Sequence, residues 1–547
     1  MLRIIYILLL LFQILSTTSC ESGRYKDDGK TVFRYNESSG ISSLDPAFAR
    51  DQANIWADNQ LYNGLVQLDQ KLNIKACIAK NWEISGDGLL YTFHLRQDVY
   101  FHSSPIFGKA ATRKVTASDF VYSFNRLVDP KLASPGAWVF STVEISNGEF
   151  SFNARDDSTL TIKISKPFPP FLGLLSMQYC SVIPHEAIEV YGVDFRQHPV
   201  GTGPFRFGMW KEGVKLVLLK NPLYFEKENG LPLPYLDAVA VTFIVDKQTA
   251  FLEFIKGNLD FISGIDASYK DEILTKNGEL KEKYATTLTF TKEPYLNTEY
   301  LGILIDTAKT ISKNSPSTDL LVRQAINMGF DRVKMMRYLR NNIGIPGTAG
   351  IVPAGLPFFN QKNVSGYSYN PGKARELLIR AGFPDGKGLP VITLTTNPSY
   401  IDLCKFIQSQ LSEIGIKIKI DVTPPATLRE MIAQSQVNFF RASWIADYPD
   451  AENYLSLFYS KNFSPDGPNY THYSSAQFDK MYEQCFFVQD DSLRGKIYEQ
   501  MDTMIMKQAS VVVLFYDEVL RFTHKNISGL GSNPLNLLTL KQVKKEK

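Results

Sequence analysis

Residues 438 to 450, NFFRASWIADYPD, set two opposite charges on an otherwise apolar stretch: Arg441, then Asp447 six positions on, with Trp444 between them. Ionised side chains are rarely buried without partners, so charges on such a strand either pair inside the protein or serve a ligand. The first reading makes a structural ion pair beside a core tryptophan. The second makes a binding site whose two charges suit a zwitterion.

Reaction chemistry is not signalled elsewhere. There is no nucleophile elbow and no HExxH, since His185-Glu186 is followed by Ala187, Ile188 and Glu189. Gly201-Thr202-Gly203-Pro204 is no phosphate loop, because no GK[ST] follows and Pro204 removes a donor. The six histidines, His94, His102, His185, His198, His472 and His524, form no ligand pair at helical or strand spacing. Cys77, Cys180, Cys404 and Cys485 lack the close pairs that metal or redox sites need, so they read as buried thiols, with a disulfide within Cys77–Cys180 or Cys404–Cys485 as the alternative. No catalytic residue, metal or cofactor is therefore expected. Lys+Arg 59 against Asp+Glu 56 leaves no excess to grip phosphates, which argues against nucleic acid as a partner.

The segments before Asn438 must position the charges. Residues 391 to 396 read as a short strand, and 401 to 414 as a helix closed by Gly415, a usual left-handed cap. Residues 416 to 420 alternate Ile and Lys at period two, hence a half-buried strand, and 427 to 434 form a second helix leading into the strand at Asn438. Such β-α-β-α-β crossovers return parallel strands to one sheet. Ligands of open parallel sheets bind beyond the carboxyl ends of strands, where Trp444 and Asp447 fall.

Met1 to Ser19 has a basic residue at Arg3, an apolar run from Ile4 to Leu15 interrupted only by Gln13, and small residues before Cys20. This is an export signal, too short for a mature transmembrane helix, and Ser19-Cys20 resembles a bacterial lipoprotein cleavage box although Thr17 stands where Leu is commoner. A lipoprotein signal peptide over residues 1–20 is expected, with cleavage between Ser19 and Cys20 and lipidation of Cys20. The 547 residues, 44% hydrophobic and 12% aromatic, supply ample core for two or three domains.

Read in order, several strings resemble the family of bacterial extracellular solute-binding proteins that includes the oligopeptide- and dipeptide-binding components of ABC importers. They are Leu44-Asp45-Pro46, LYNGLV from Leu61, AKNWEISGDGLLYTFHLRQDVYFH from Ala79 and TASDFVYSFNRLVDP from Thr116. PVGTGPFRF from Pro199, FLEFIKGNLD from Phe251, RQAINMGFDR from Arg323 and YNPGKARELLIRAGF from Tyr369 continue the series over nearly the whole mature chain. Most have scaffold readings: Gly86-Asp87-Gly88 turns a hairpin, and Asn370-Pro371 starts a helix that Gly382 ends.

The resemblance implies a mixed α/β, two-lobed clam of the periplasmic-binding-protein type (type II), with an additional β-rich subdomain. It places the first lobe at 25–62, 195–290 and 510–547, the subdomain at 63–194 and the second lobe at 291–509. It implies a short peptide as ligand, an ABC permease and its ATPase subunits as partners, an extracytoplasmic, periplasmic location on a lipid anchor, and a monomer without enzymatic activity. By the same resemblance Asp447 holds the peptide's α-ammonium and Arg441 meets its carboxylate. Ser443 and Ile445 pair with its backbone, Trp444 between them is counted with the ligand-binding residues, and Arg50, Asp51 and Gln52 pair with its other edge. Ser443 stands where Gly is frequent, and Asp450 and Glu452 are expected to face solvent. The alternatives are another solute in the same fold, such as a metal chelate, an oligosaccharide or a haem-like group, or a peptide-sensing or adhesion lipoprotein.

Overall fold

A computed structural model describes residues 29–266 and 268–546; Cys20 and the export segment lie outside them. Among the described residues no helix is long and apolar enough to cross a membrane.

One mixed sheet of eleven strands runs through both lobes. In chain order its strands are β1 (Val32–Asn36), β2 (Phe205–Lys211), β3 (Lys215–Lys220), β4 (Ala238–Thr242), β5 (Phe261–Ser263), β6 (Leu288–Ile303), β7 (Ile392–Thr396), β8 (Ile418–Val422), β9 (Phe439–Ile445) and β10 (Val511–His524). Their spatial order is β2-β3-β4-β1-β5-β10-β6-β9-β7-β8, and the short strand Ile345–Pro346 pairs off this path with β10. The 16-residue β6 and 14-residue β10 are long enough, at about 3.3 Å per residue, to serve both lobes. Their amino- and carboxyl-terminal ends respectively carry Leu288 and Phe522 into one core, and their other ends carry Leu301 and Val512 into another. Their ladder is interrupted between Pro294 and Thr298, and a bulge of this kind is where paired strands bend.

The β-α-β-α-β reading is realised by β7, helix α1 (Ile401–Ser412), β8, helix α2 (Pro425–Ala433) and β9, with β7 parallel to both β8 and β9. Gly415 adopts φ +90 at the exit of α1, and a Cβ there would come within 2.5 Å of the Asp385 backbone. Only glycine fits such a position without strain. In β8, Ile418 is buried and Lys419 exposed, as period-two alternation requires.

The largest apolar core gathers side chains from Phe33 to Phe261 together with Ile527 to Val543, so the sheet of β1 and β4 and the segment between Leu61 and Phe205 share one interior. That segment carries its own four-stranded antiparallel sheet, in which the hairpin Ala79–Ile84 and Leu90–Leu95 turns through Gly88 at φ +72. Cys77, Cys180, Cys404 and Cys485 are buried and free.

Candidate ligand-binding site

Alternation along β9 sorts its side chains. Phe440, Ala442, Trp444 and Ala446 lie against the apolar clusters of one face. Phe439, Arg441, Ser443 and Ile445 share the other, which opens from the buried Phe439 to the exposed Ile445, and the exposed Asp447 follows in the bend just past the strand. Trp444 thus stands on the face opposite Arg441. Its indole Nε1 donates to Asn453 Oδ1 at 2.8 Å, the same oxygen accepts from the Asp447 backbone N–H at 3.3 Å, and Asn453 Nδ2 reaches the Asp447 carboxylate at 3.5 Å. Trp444 supports the turn that aims Asp447.

The strand has one free edge. β6 pairs with β9 along its whole length, from Ile303 opposite Phe439 to Asn297 opposite Ile445. On the other side β7 pairs only with Phe439 and Phe440. The chain then leaves the sheet because Asn397 accepts from Ser399 N at 3.0 Å and Pro398 begins a helical turn that cannot continue the ladder. From Arg441 to Ile445 that edge has no strand partner among the described residues, which leaves main-chain groups open to an extended ligand.

Asp447 is exposed and yet crowded by surrounding protein, which raises its carboxyl above the usual range against the opposing effect of Asn453. It has no ion-pair partner among the described residues. Arg441 differs: its guanidinium pairs with Glu299 of β6, leaving 10% of the Arg441 side chain and 3% of Glu299 exposed. The Tyr400 ring stacks 3.4 Å beneath that guanidinium, and its hydroxyl donates to Glu299 at 3.2 Å.

A second wall follows the Leu44-Asp45-Pro46 turn, near enough to Asp447 for Tyr179 to feel both. Asp45 caps the turn Pro46–Phe48 by accepting from Ala47 N at 3.0 Å, and Arg126 grips its carboxylate at 2.6 and 3.1 Å. This anchors the loop that presents Arg50, Asp51 and Gln52, all exposed, with Asp51 accepting from Asn54 N at 3.1 Å as the cap of helix Gln52–Leu61. Tyr179 ties the walls together: its hydroxyl is pushed up to about 12 by burial first and then by Asp447, and it also feels Arg50, Asp51 and Asp58. Tyr179 lies so close over Gly136 that a Cβ there would sit 2.2 Å from the ring. Beyond it, Trp138 and Tyr448 meet with ring centroids 6.4 Å apart, so the segment between Leu61 and Phe205 touches the chain beside Asp447.

The expectation that Glu452 faces solvent is wrong. It is 3% exposed, accepts from the Tyr448 and Tyr482 hydroxyls, and is raised to about 7 by burial. The chain after Pro449 turns inward as helix Glu452–Leu455 instead of running over the surface. Asp450 is half-buried and felt by Arg494. Sequence reading also passed over Glu299, Asn453, Tyr179 and Asp58. Glu299 carries the same signal as Arg441, a lone charge in the apolar run YLNTEYLGI. Asp58 is fully buried with neither carboxyl oxygen hydrogen-bonded, and burial together with Asp45 and Asp51 holds it well above the carboxylate range.

A separate hollow of about 1130 Å³ opens between the hairpin around Leu68, the loop at Tyr224 to Glu228 and the segment around Lys541, and no residue from 441 to 447 lines it. Among the described residues no group of three or more His, Cys, Asp or Glu side chains could hold a metal ion.

Comparison with known proteins agrees with this architecture. The family model for bacterial extracellular solute-binding proteins, family 5 (middle) matches residues 73–466. The glutathione-binding protein GsiB of Salmonella typhi is 25% identical over 502 residues, 91% of each chain. Among solved structures, the periplasmic binding protein DppA from Helicobacter pylori in complex with the peptide STSA has a TM-score of 0.74 at 26% identity, covering 95% of this chain and 99% of that one. HbpA2 from Haemophilus parasuis shares the fold with a TM-score of 0.81 at 23% identity, covering 94% and 100%. The chain belongs to the bacterial extracellular solute-binding proteins of family 5, two-lobed substrate-binding components of ABC importers that act outside the cytoplasm and are not enzymes.

Proposed function

We propose that this protein captures a short peptide. Asp447 accepts the peptide's α-ammonium, the free edge of β9 from Arg441 to Ile445 pairs with its main chain, Arg50 to Gln52 meet its other edge, and Arg441 takes a share of its carboxylate. The observation that carries this reading is Asp447, an exposed, crowded carboxylate aimed by Asn453 and without a cation of its own among the described residues. A ligand ammonium supplies that cation through a charge-assisted hydrogen bond, strengthened where lobe closure excludes water. Main-chain pairing gives affinity without reading side chains. The extended strand from Arg441 to Ile445 alone spans about 13 Å at about 3.3 Å per residue, so a ligand reaching toward both charges is a short peptide and not a single amino acid. Relatives named for glutathione binding and solved with a bound peptide support the same class. Closure around the peptide precedes its hand-over to a permease driven by separate ATPase subunits, and the binding protein acts as a monomer.

Mass spectrometry of small molecules released from the purified, denatured protein tests the reading. Peptides with free amino termini are expected; a saccharide, a metal chelate or a haem-like group overturns it. The export segment ending at Ser19-Cys20 further supports a lipid anchor on Cys20. Cys20→Ala should release the protein from membranes or block signal removal, and a cleaved variant that still needs detergent would contradict the anchor.

A further inference from the structure

Glu299 and Arg441 form a charge-balanced unit on the floor of the candidate site. Ser443 lies opposite Glu299 and Arg441 opposite Leu301 in the β6–β9 ladder, so Glu299 and Arg441 are diagonal neighbours on one face of the sheet. Asn297 Nδ2 links Glu299 at 3.4 Å to Asp517 of β10 at 3.5 Å, and Arg340 pairs with Asp517 at 3.0 Å. The groups facing Glu299 are therefore Arg441, Tyr400, Asn297 and Asp517, with Arg340 behind Asp517. Two guanidiniums already answer two carboxylates.

We propose that Glu299 is the specificity determinant at this end of the site: a ligand carboxylate gains Arg441 only as Glu299 takes up a proton. The inference rests on the peptide reading and names its cost. A third carboxylate among two guanidiniums leaves a net negative charge in a region of low dielectric, and one acid must then become neutral. Glu299 is the deeper of the two, with 3% of its side chain exposed against 24% for Asp517. Burial already raises its carboxyl above the usual range, and Asp517 adds to that while Arg441 opposes it. The exchange has groups ready on both sides. Among the described residues Arg441 Nε is buried without an acceptor and can donate to the incoming carboxylate, and Asn297 Oδ1 is buried without a donor and can accept from protonated Glu299 once its amide turns over. The proton comes from buffer, an O–H bond forms on Glu299, and no other bond is made or broken.

The test uses the member of a mixed tri- to pentapeptide pool that the purified protein retains most tightly, resynthesised with a free and with an amidated C terminus. Calorimetry in buffers of different ionisation enthalpy counts protons. The free acid should bind with uptake of about one proton and lose up to about tenfold in affinity per pH unit as pH rises, whereas the amide should bind with none. Glu299→Gln should abolish the uptake and tighten the free acid relative to the amide. Different affinities for the two forms without proton uptake would overturn the role of Glu299 and leave the peptide reading standing, and the unmodified protein decides this even if the variant folds poorly. Equal affinities would remove Arg441 from carboxylate binding and this inference with it. A protein that retains no peptide from the pool contradicts the peptide reading itself.

Discussion

Arg441 lies within β9 and Asp447 six residues on, just past the strand's end, and their surroundings treat them in opposite ways. Arg441, near the core end, is stacked on Tyr400 and neutralised by Glu299. Asp447, at the open end, has an amide to hold it and no cation among the described residues. Opposite charges close in sequence therefore do not imply that they answer each other. The buried one has been satisfied within the protein, because an unpaired charge there costs several kcal/mol, while the exposed one tolerates water until a ligand arrives.

The sharpest way to break the contrast is to remove the inner charge. Arg441→Ala strands Glu299 and should cost about 3–5 kcal/mol of folding stability, read by chemical denaturation, whereas Asp447→Ala should leave stability nearly unchanged. A stable Arg441→Ala protein would mean that Glu299 is neutral in the unliganded state. Next in size is a pH effect in the same lobe. Burial raises Glu452 and Asp502 each to about 7, while unfolded carboxyls titrate near 4. Between those limits the folded protein keeps protons that the unfolded chain releases, so these groups contribute stability below about pH 4 that is lost as pH rises to about 7. Glu452→Gln should flatten the stability–pH profile in that window by about 1 kcal/mol per pH unit, and an unchanged slope would contradict it. The smallest effect concerns aim. Trp444→Phe keeps the packing but loses the Nε1 bond to Asn453, and should weaken peptide binding by about tenfold or less, with little change in melting temperature.

Much of the scaffold was legible. Alternation at Ile418 and Lys419, the Gly415 cap and the Asn370-Pro371 helix start are local signals, and the elements they announce lie within a few residues of where periodicity put them. Parity along β9 also separates Trp444 from Arg441, a distinction lost when Arg441, Trp444 and Asp447 are read as one motif. What sequence could not supply was the partner across the sheet. Glu299 meets Arg441 across 142 positions of sequence, and only the register of β6 against β9 makes them neighbours. The burial of Glu452 was hidden in part for the same reason: Tyr448 is a local partner, but Tyr482 comes from the helix Ala476–Cys485, and a turn with Tyr and Pro reads as surface until that helix packs on it.

The central claim, that Asp447 holds the ligand's α-ammonium, is tested most directly by a cycle that pairs Asp447→Ala with N-acetylation of a peptide recovered from the protein, each combination measured by calorimetry. Stranding one partner of a buried charge pair costs about 2–5 kcal/mol, so either change alone should weaken binding roughly 30-fold or more. Both changes delete the same interaction, and the second should therefore add little to the first. Full additivity of the two losses, or an Asp447→Ala protein that binds as tightly as the parent, would place the amine elsewhere and contradict the account.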